Sequence, residues 1–188
     1  KAITTIDHLS GGRLEIGIGR GVYPRETVNM KPTADVRNPE GNRALFAETL
    51  EVMRRCWTDE FFSFDGEFFT FPYPGITFNH DMSPPLPANT DPETGHITAP
   101  SVIPKPLQDP HPPLWQVVDT PPSIEFAARN GLQAMFWIPP TDSMVSRFEM
   151  YRDAASEARG EEVPYGAGVG LLRDMFVTET MAEAERLA

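Results

Sequence analysis

From Leu14 to Gly19 the chain alternates, with Leu14, Ile16 and Ile18 set against Glu15, Gly17 and Gly19. A period of two predicts a strand that packs one face on other elements and keeps its second face small. Helical patterns lie on both sides of it. Ala2 to His8 reads as a helix that runs into the Gly11-Gly12 turn. Asn38-Pro39 predicts the start of a helix reaching about Trp57, because an Asn side chain can accept an orphan amide and proline suits the first turn. On that helix Phe46, Leu50, Met53 and Trp57 share a face, and Arg43, Glu51, Arg54 and Arg55 supply the polar one. Further on, Leu114 to Val118 predicts a short buried strand, and Pro121 to Asn130 a helix closed by Gly131. Ala134 to Ile138 follows as a strand, Ser143 to Arg159 as a helix ended by Gly160, Leu171 to Thr178 as a strand, and a last helix begins at Thr180.

Two stretches break this rhythm. Around Asp65-Gly66 an aromatic-rich alternation predicts a hairpin pairing Phe61 to Phe64 with Glu67 to Phe71. Beyond it, 14 of the 20 prolines lie between Pro72 and Pro122. Proline blocks regular helix and central strand alike, so about 72–112 is expected to be a long excursion of the lid type, more mobile than the strands. Taken together, four strands each followed by a helix predict a parallel α/β arrangement. Propensity alone leaves an open doubly wound sheet and an arc of a barrel both standing.

The charge balance narrows the partners. A net charge of −11 and a pI near 4.8 speak against a nucleic-acid surface. An anionic ligand must then be held by local cations rather than by the overall field. No apolar run approaches the about 18 residues of a membrane span. The single cysteine, Cys56, fits a reducing, cytoplasmic setting and a buried structural role beside Trp57. The chain opens at Lys1 inside a helical pattern and stops inside another, and its 188 residues fall short of the about 250 of a complete eight-stranded β/α barrel. It is therefore expected to be the middle and later part of a longer protein.

Arg20, between Gly19 and Gly21 at the exit of the first strand, presents a cation on backbone that can approach a ligand closely, which suits a phosphate. His8 and Arg13 precede that strand and are expected at the opposite, stability end. Phe136 and Trp137 read first as core. His80, Asp81, Glu93 and His96 match no metal-ligand spacing, so no metal is expected. Nucleophile-base motifs are absent, which leaves an open-sheet hydrolase unsupported and points to chemistry carried by a cofactor.

The run Ile6-Asp7-His8-Leu9-Ser10-Gly11-Gly12-Arg13, continuing to Arg20-Gly21, resembles the luciferase-like flavin monooxygenases. The likeness continues through 42–48, Gly66-Glu67-Phe68-Phe69, 104–108, 111–115 and Ala127-Ala128-Arg129-Asn130-Gly131. The resemblance implies a TIM-type (β/α)8 barrel, here a partial one of about four βα units over 1–188 with an insertion at about 59–112. It implies an oxidoreductase or monooxygenase acting on a small organic substrate with reduced FMN or a deazaflavin coenzyme. It assigns cofactor-phosphate contacts to Arg20, whose alternative is a plain surface arginine, and to Asp119, Thr120 and Ser123, where Pro121 and Pro122 remove two amides and shift the contact toward the hydroxyls; simple helix capping is the alternative role of Thr120 and Ser123. The 138–142 segment also falls at the ligand end, and the family's catalytic histidine comes from early strands outside this chain. A flavin reductase partner and a homodimer are implied as well. The alternative is a truncated, non-catalytic flavin-binding or interaction protein of the same fold.

Overall fold

The computed structural model describes every residue except Asn79, Asp81, 83–85, Ile138, Pro139, Phe176 and Ala188. The chain divides into two compact units, Lys1–Leu14 with Gly19–Pro112, and Glu15–Ile18 with Pro113–Ala188.

The first unit is mainly helical. Its α1 (Ala2–Ser10) ends as the sequence predicts, on Gly11 in the left-handed region, whose amide is held by His8 O. A short α2 (Pro24–Met30) and a 3-10 turn (Pro32–Ala34), neither predicted from the pattern, lead to α3 (Pro39–Thr58). Asn38 caps α3 by accepting from the Gly41 amide at 3.2 Å. Leu45, Leu50, Val52 and Trp57 of α3 are buried, together with Phe62. The hairpin forms, but shorter and shifted: β2 (Phe64–Asp65) pairs antiparallel with β3 (Thr70–Phe71), so Asp65 belongs to a strand rather than to the turn.

Turn placement follows from Glu48. Its carboxylate accepts the amides of Glu67, Phe68 and Phe69 at 2.7–3.0 Å, which fixes the chain reversal at 66–69. Gly66 is required there, because a Cβ would stand 2.5 Å from Glu48 Oε1. The excursion after Phe71 is joined by isolated bridges, Thr77 to His96 and Thr90 to Ile97. Its far end is tied down by α1. The buried Asp7 carboxylate accepts from the Leu107 amide (2.7 Å), the Gln108 amide (3.0 Å) and Gln108 Nε2 (2.8 Å). Lys105 reaches the carbonyls of Cys56 and Asp59 at the C-terminal end of α3.

The second unit is a four-stranded parallel sheet with helices. Its strands β1 (Ile16–Ile18), β4 (Leu114–Val118), β5 (Gln133–Trp137) and β6 (Val169–Leu172) stand side by side in chain order. Registers run Ile16 to Leu114, Trp115 to Gln133 and Ala134 to Val169. Between them lie α4 (Pro121–Arg129) and α5 (Met144–Arg159), with α6 (Met181–Leu187) after β6. Leu114, Gln116, Val118, Ala134 and Phe136 form the buried face of the sheet, where Phe136 meets Phe148 of α5 at 5.3 Å between ring centroids. On the opposite face, Val117 and Trp137 are more than half exposed. Trp137 thus departs from the core role expected of it, while Phe136 fulfils that role.

The last strand is a correction. It spans Val169–Leu172 rather than Leu171 to Thr178, because pairing with β5 fixes the register by packing. A Cβ on Gly170 would come 2.6 Å from Met135 Cε and 3.0 Å from the Trp115 ring, so only glycine fits beside them. Ile138, the expected last residue of the preceding strand, and the start of the 138–142 segment lie outside the described residues.

Candidate functional site

In the first unit, Arg20 follows β1 by two residues and is half-buried. Its Nη1 donates to Asn42 Oδ1 on α3 at 2.8 Å, and among the described residues it forms no ion pair. Burial and then the nearby charge of Arg43 push its pKa below the ordinary arginine value. Such a guanidinium is oriented and, among the described residues, without a counter-charge. Gly21, at φ 82°, is fixed by its neighbour, since a Cβ would stand 2.3 Å from Thr27 Cγ2. A Cβ on Gly19 would meet nothing within 4 Å, which leaves open space beside the arginine.

In the second unit, Asp119, Thr120 and Ser123 meet at the start of α4, and their polar groups serve one another. Ser123 Oγ accepts the amides of Asp119 (3.2 Å) and Thr120 (3.1 Å) and donates to Thr120 O at 2.8 Å. Thr120 Oγ1 in turn donates to Ser123 Oγ at 3.3 Å. The Ser123 hydroxyl is therefore occupied as a helix cap. Asp119 pairs at 3.1 Å with Arg147 of α5, whose Nη1 also donates to Asp119 O at 2.8 Å. Arg147 brings a cation to the start of α4 that the sequence reading had not singled out. On the sheet face opposite the helices, Gly17 leaves open space and Trp115 is fixed by donating Nε1 to Glu15 Oε2.

His8 behaves as a structural residue, its ring nitrogen Nε2 bonded with Lys105 O at 2.9 Å. Arg13 likewise serves its own turn, donating Nε to Ser10 O. Cys56 is half-buried, and burial pushes its thiol pKa up, so it is not set up as a thiolate. Asp81 lies outside the described residues, and among those described no group of three His, Cys, Asp or Glu is placed to hold a metal ion. No described helix is long and apolar enough to cross a membrane.

A parallel β/α sheet whose first strand exits into Gly19-Arg20-Gly21 defines a class. The chain belongs to the luciferase-like monooxygenases, whose family profile matches residues 1–188. It is 31% identical over 125 residues to the oxygenase component of the flavin-dependent trigonelline monooxygenase of Acinetobacter baylyi, covering 66% of this chain and 26% of that protein. Its fold matches the crystal structure of monooxygenase RslO1 from Streptomyces bottropensis with a TM-score of 0.67 and 28% identity, over 98% of this chain and 47% of that one. The oxygenating constituent of 3,6-diketocamphane monooxygenase from Pseudomonas putida, solved in complex with FMN, shares the fold at a TM-score of 0.69 and 21% identity, over 98% and 46% of the two chains. The chain thus spans less than half the length of each, and the four strands in sequence order form part of a barrel rather than a closed one.

Proposed function

We propose that the chain forms the phosphate-binding part of an enzyme that uses reduced FMN, or a deazaflavin coenzyme, to oxidise or monooxygenate a small organic substrate. The observation that carries this reading is Arg20: oriented by Asn42, paired with no carboxylate among the described residues, and set beside open space at Gly19. A guanidinium fork suits phosphate oxygens, and an anion there would pair with a charge that no carboxylate of the described residues compensates.

At the start of α4 the fit is narrower. With Ser123 Oγ, two amides and the Thr120 hydroxyl used in the cap, the cation of Arg147 is the group left to face an anion there, and Asp119 acts by holding it. Bound reduced flavin supplies the electrons with which dioxygen is activated for transfer to the substrate. The residues of this chain bind and orient it, and the open position at Gly19 leaves space beside Arg20. The trigonelline protein is an oxygenase component and the camphane protein an oxygenating constituent, which supports a separate flavin reductase as partner. The same family supports a homodimer, and the lone cysteine a cytoplasmic setting.

The test is made on the product of the complete reading frame. It is expected to bind FMN or a deazaflavin coenzyme and, in the presence of substrate, either to consume oxygen when supplied with reduced FMN or to reduce an oxidised deazaflavin at the substrate's expense. Binding without turnover across a broad substrate panel would move the assignment to a flavin-binding protein, and no binding at all would remove the phosphate site.

A further inference from the structure

Asn42 is polar yet only 2% exposed, and both ends of its amide are used. Oδ1 accepts from Arg20 Nη1 at 2.8 Å, while Nδ2 donates to Ala34 O at 2.9 Å and to Arg20 O at 3.4 Å. One side chain therefore holds the head and the backbone of the same arginine and ties both to the 3-10 turn. A carboxylate at this place would hold the guanidinium at least as firmly, but it would also cancel its charge. A neutral amide orients the cation and leaves the charge intact for another anion. Arg43, the next residue on α3, adds a second positive charge that no carboxylate on the described surface pairs with.

We propose that Asn42 is the positioning residue of the phosphate site: it locks Arg20 in the orientation that meets a cofactor phosphate while keeping it fully charged. The inference rests on the phosphate reading of Arg20. An unrestrained arginine loses rotamer freedom on binding, and a preordered one has already done so.

The experiment titrates the product of the complete reading frame with FMN and riboflavin, and in parallel with a deazaflavin coenzyme and its phosphate-free riboside. The readout is the preference for the phosphorylated member of each pair. Asn42→Leu, close in size, is expected to lower that preference about ten-fold with affinity for the phosphate-free member unchanged. Asn42→Asp, which still accepts from Arg20, is expected to lower it as well by neutralising the cation. In an Arg20→Met background neither change has a further effect. A merely structural role would shift both members of a pair together, and should Asn42→Leu fail to fold, Asn42→Asp carries the same cycle. If Arg20→Met abolishes the preference while both Asn42 variants retain it, or if the effects add, the role of Asn42 is overturned and the phosphate reading stands. A preference that survives Arg20→Met, or is absent from the parent, overturns both.

Discussion

Asp7 and Gln108, 101 residues apart in the chain, are joined twice, since the carboxylate of the first accepts both the backbone amide and the side-chain amide of the second. Burial on its own would raise the carboxyl pKa, but the two bonds from Gln108 and the one from the Leu107 amide stabilise the ionised form and hold it below the usual carboxylate range. The stability contributed by a lowered folded-state pKa is present above the unfolded value near 4 and is lost as pH falls through the folded value. Urea midpoints should therefore drop in acid from about pH 4 downward, and Asp7→Asn should flatten that part of the profile. At neutral pH the variant should lose about 2–3 kcal/mol, because buried donors lose their acceptor. An unchanged profile would show that the clamp is not ionised.

Arg20→Ala should weaken cofactor binding by roughly 1.5–3 kcal/mol, about ten- to a hundred-fold in Kd, with little change in urea stability. Fluorescence titration of the complete protein with oxidised FMN measures it. An unchanged Kd would return Arg20 to the status of a surface residue.

Gln116 presents the reverse case, a polar group whose removal should help. Its Oε1 is buried on the helix-facing side of β4 and has no hydrogen-bond partner among the described residues. Gln116→Met, similar in volume, should raise stability by about 1 kcal/mol in a denaturation experiment. A loss of stability would mean that the amide has a partner in the protein.

Thermolysin, which cuts before apolar residues, should attack first between 73 and 98, where Ile76, Phe78, Met82 and Leu86 are exposed and backbone pairing is sparse. The 105–112 end of the same excursion should resist, because Asp7 and Lys105 anchor it. Mass spectrometry of the first fragments decides; an initial cut inside α3 would reverse the expectation.

Elements governed by local chemistry were legible in the sequence. The Asn38-Pro39 cap, the Gly131 and Gly160 helix ends and the buried strand Leu114–Val118 all follow from residues within a turn of one another. What escaped depended on distant partners. The hairpin turn moved because Glu48, nearly 20 residues earlier, collects its amides. The last strand moved because its register is set by pairing with β5, where Ala134 stands against Val169 and Trp137 against Leu172. Within the site, Arg20 stood out by its flanking glycines, whereas Asn42, 22 residues away, and Arg147, 28 residues from Asp119, carried no local mark of their role.

The adjacency of β1 and β4 also bears on how quickly this protein reaches its fold. Ile16 must find Leu114 across the whole of the intervening segment 17–113, and a search over so distant a pair slows folding. Once Asp7 has captured Gln108, only the short segments 8–15 and 109–113 remain to be closed, which lowers the entropic cost of that pairing by roughly 1–2 kcal/mol. The clamp is thus placed to form before the sheet is complete, so that its loss would be felt in the refolding rate as well as in the stability of the finished molecule.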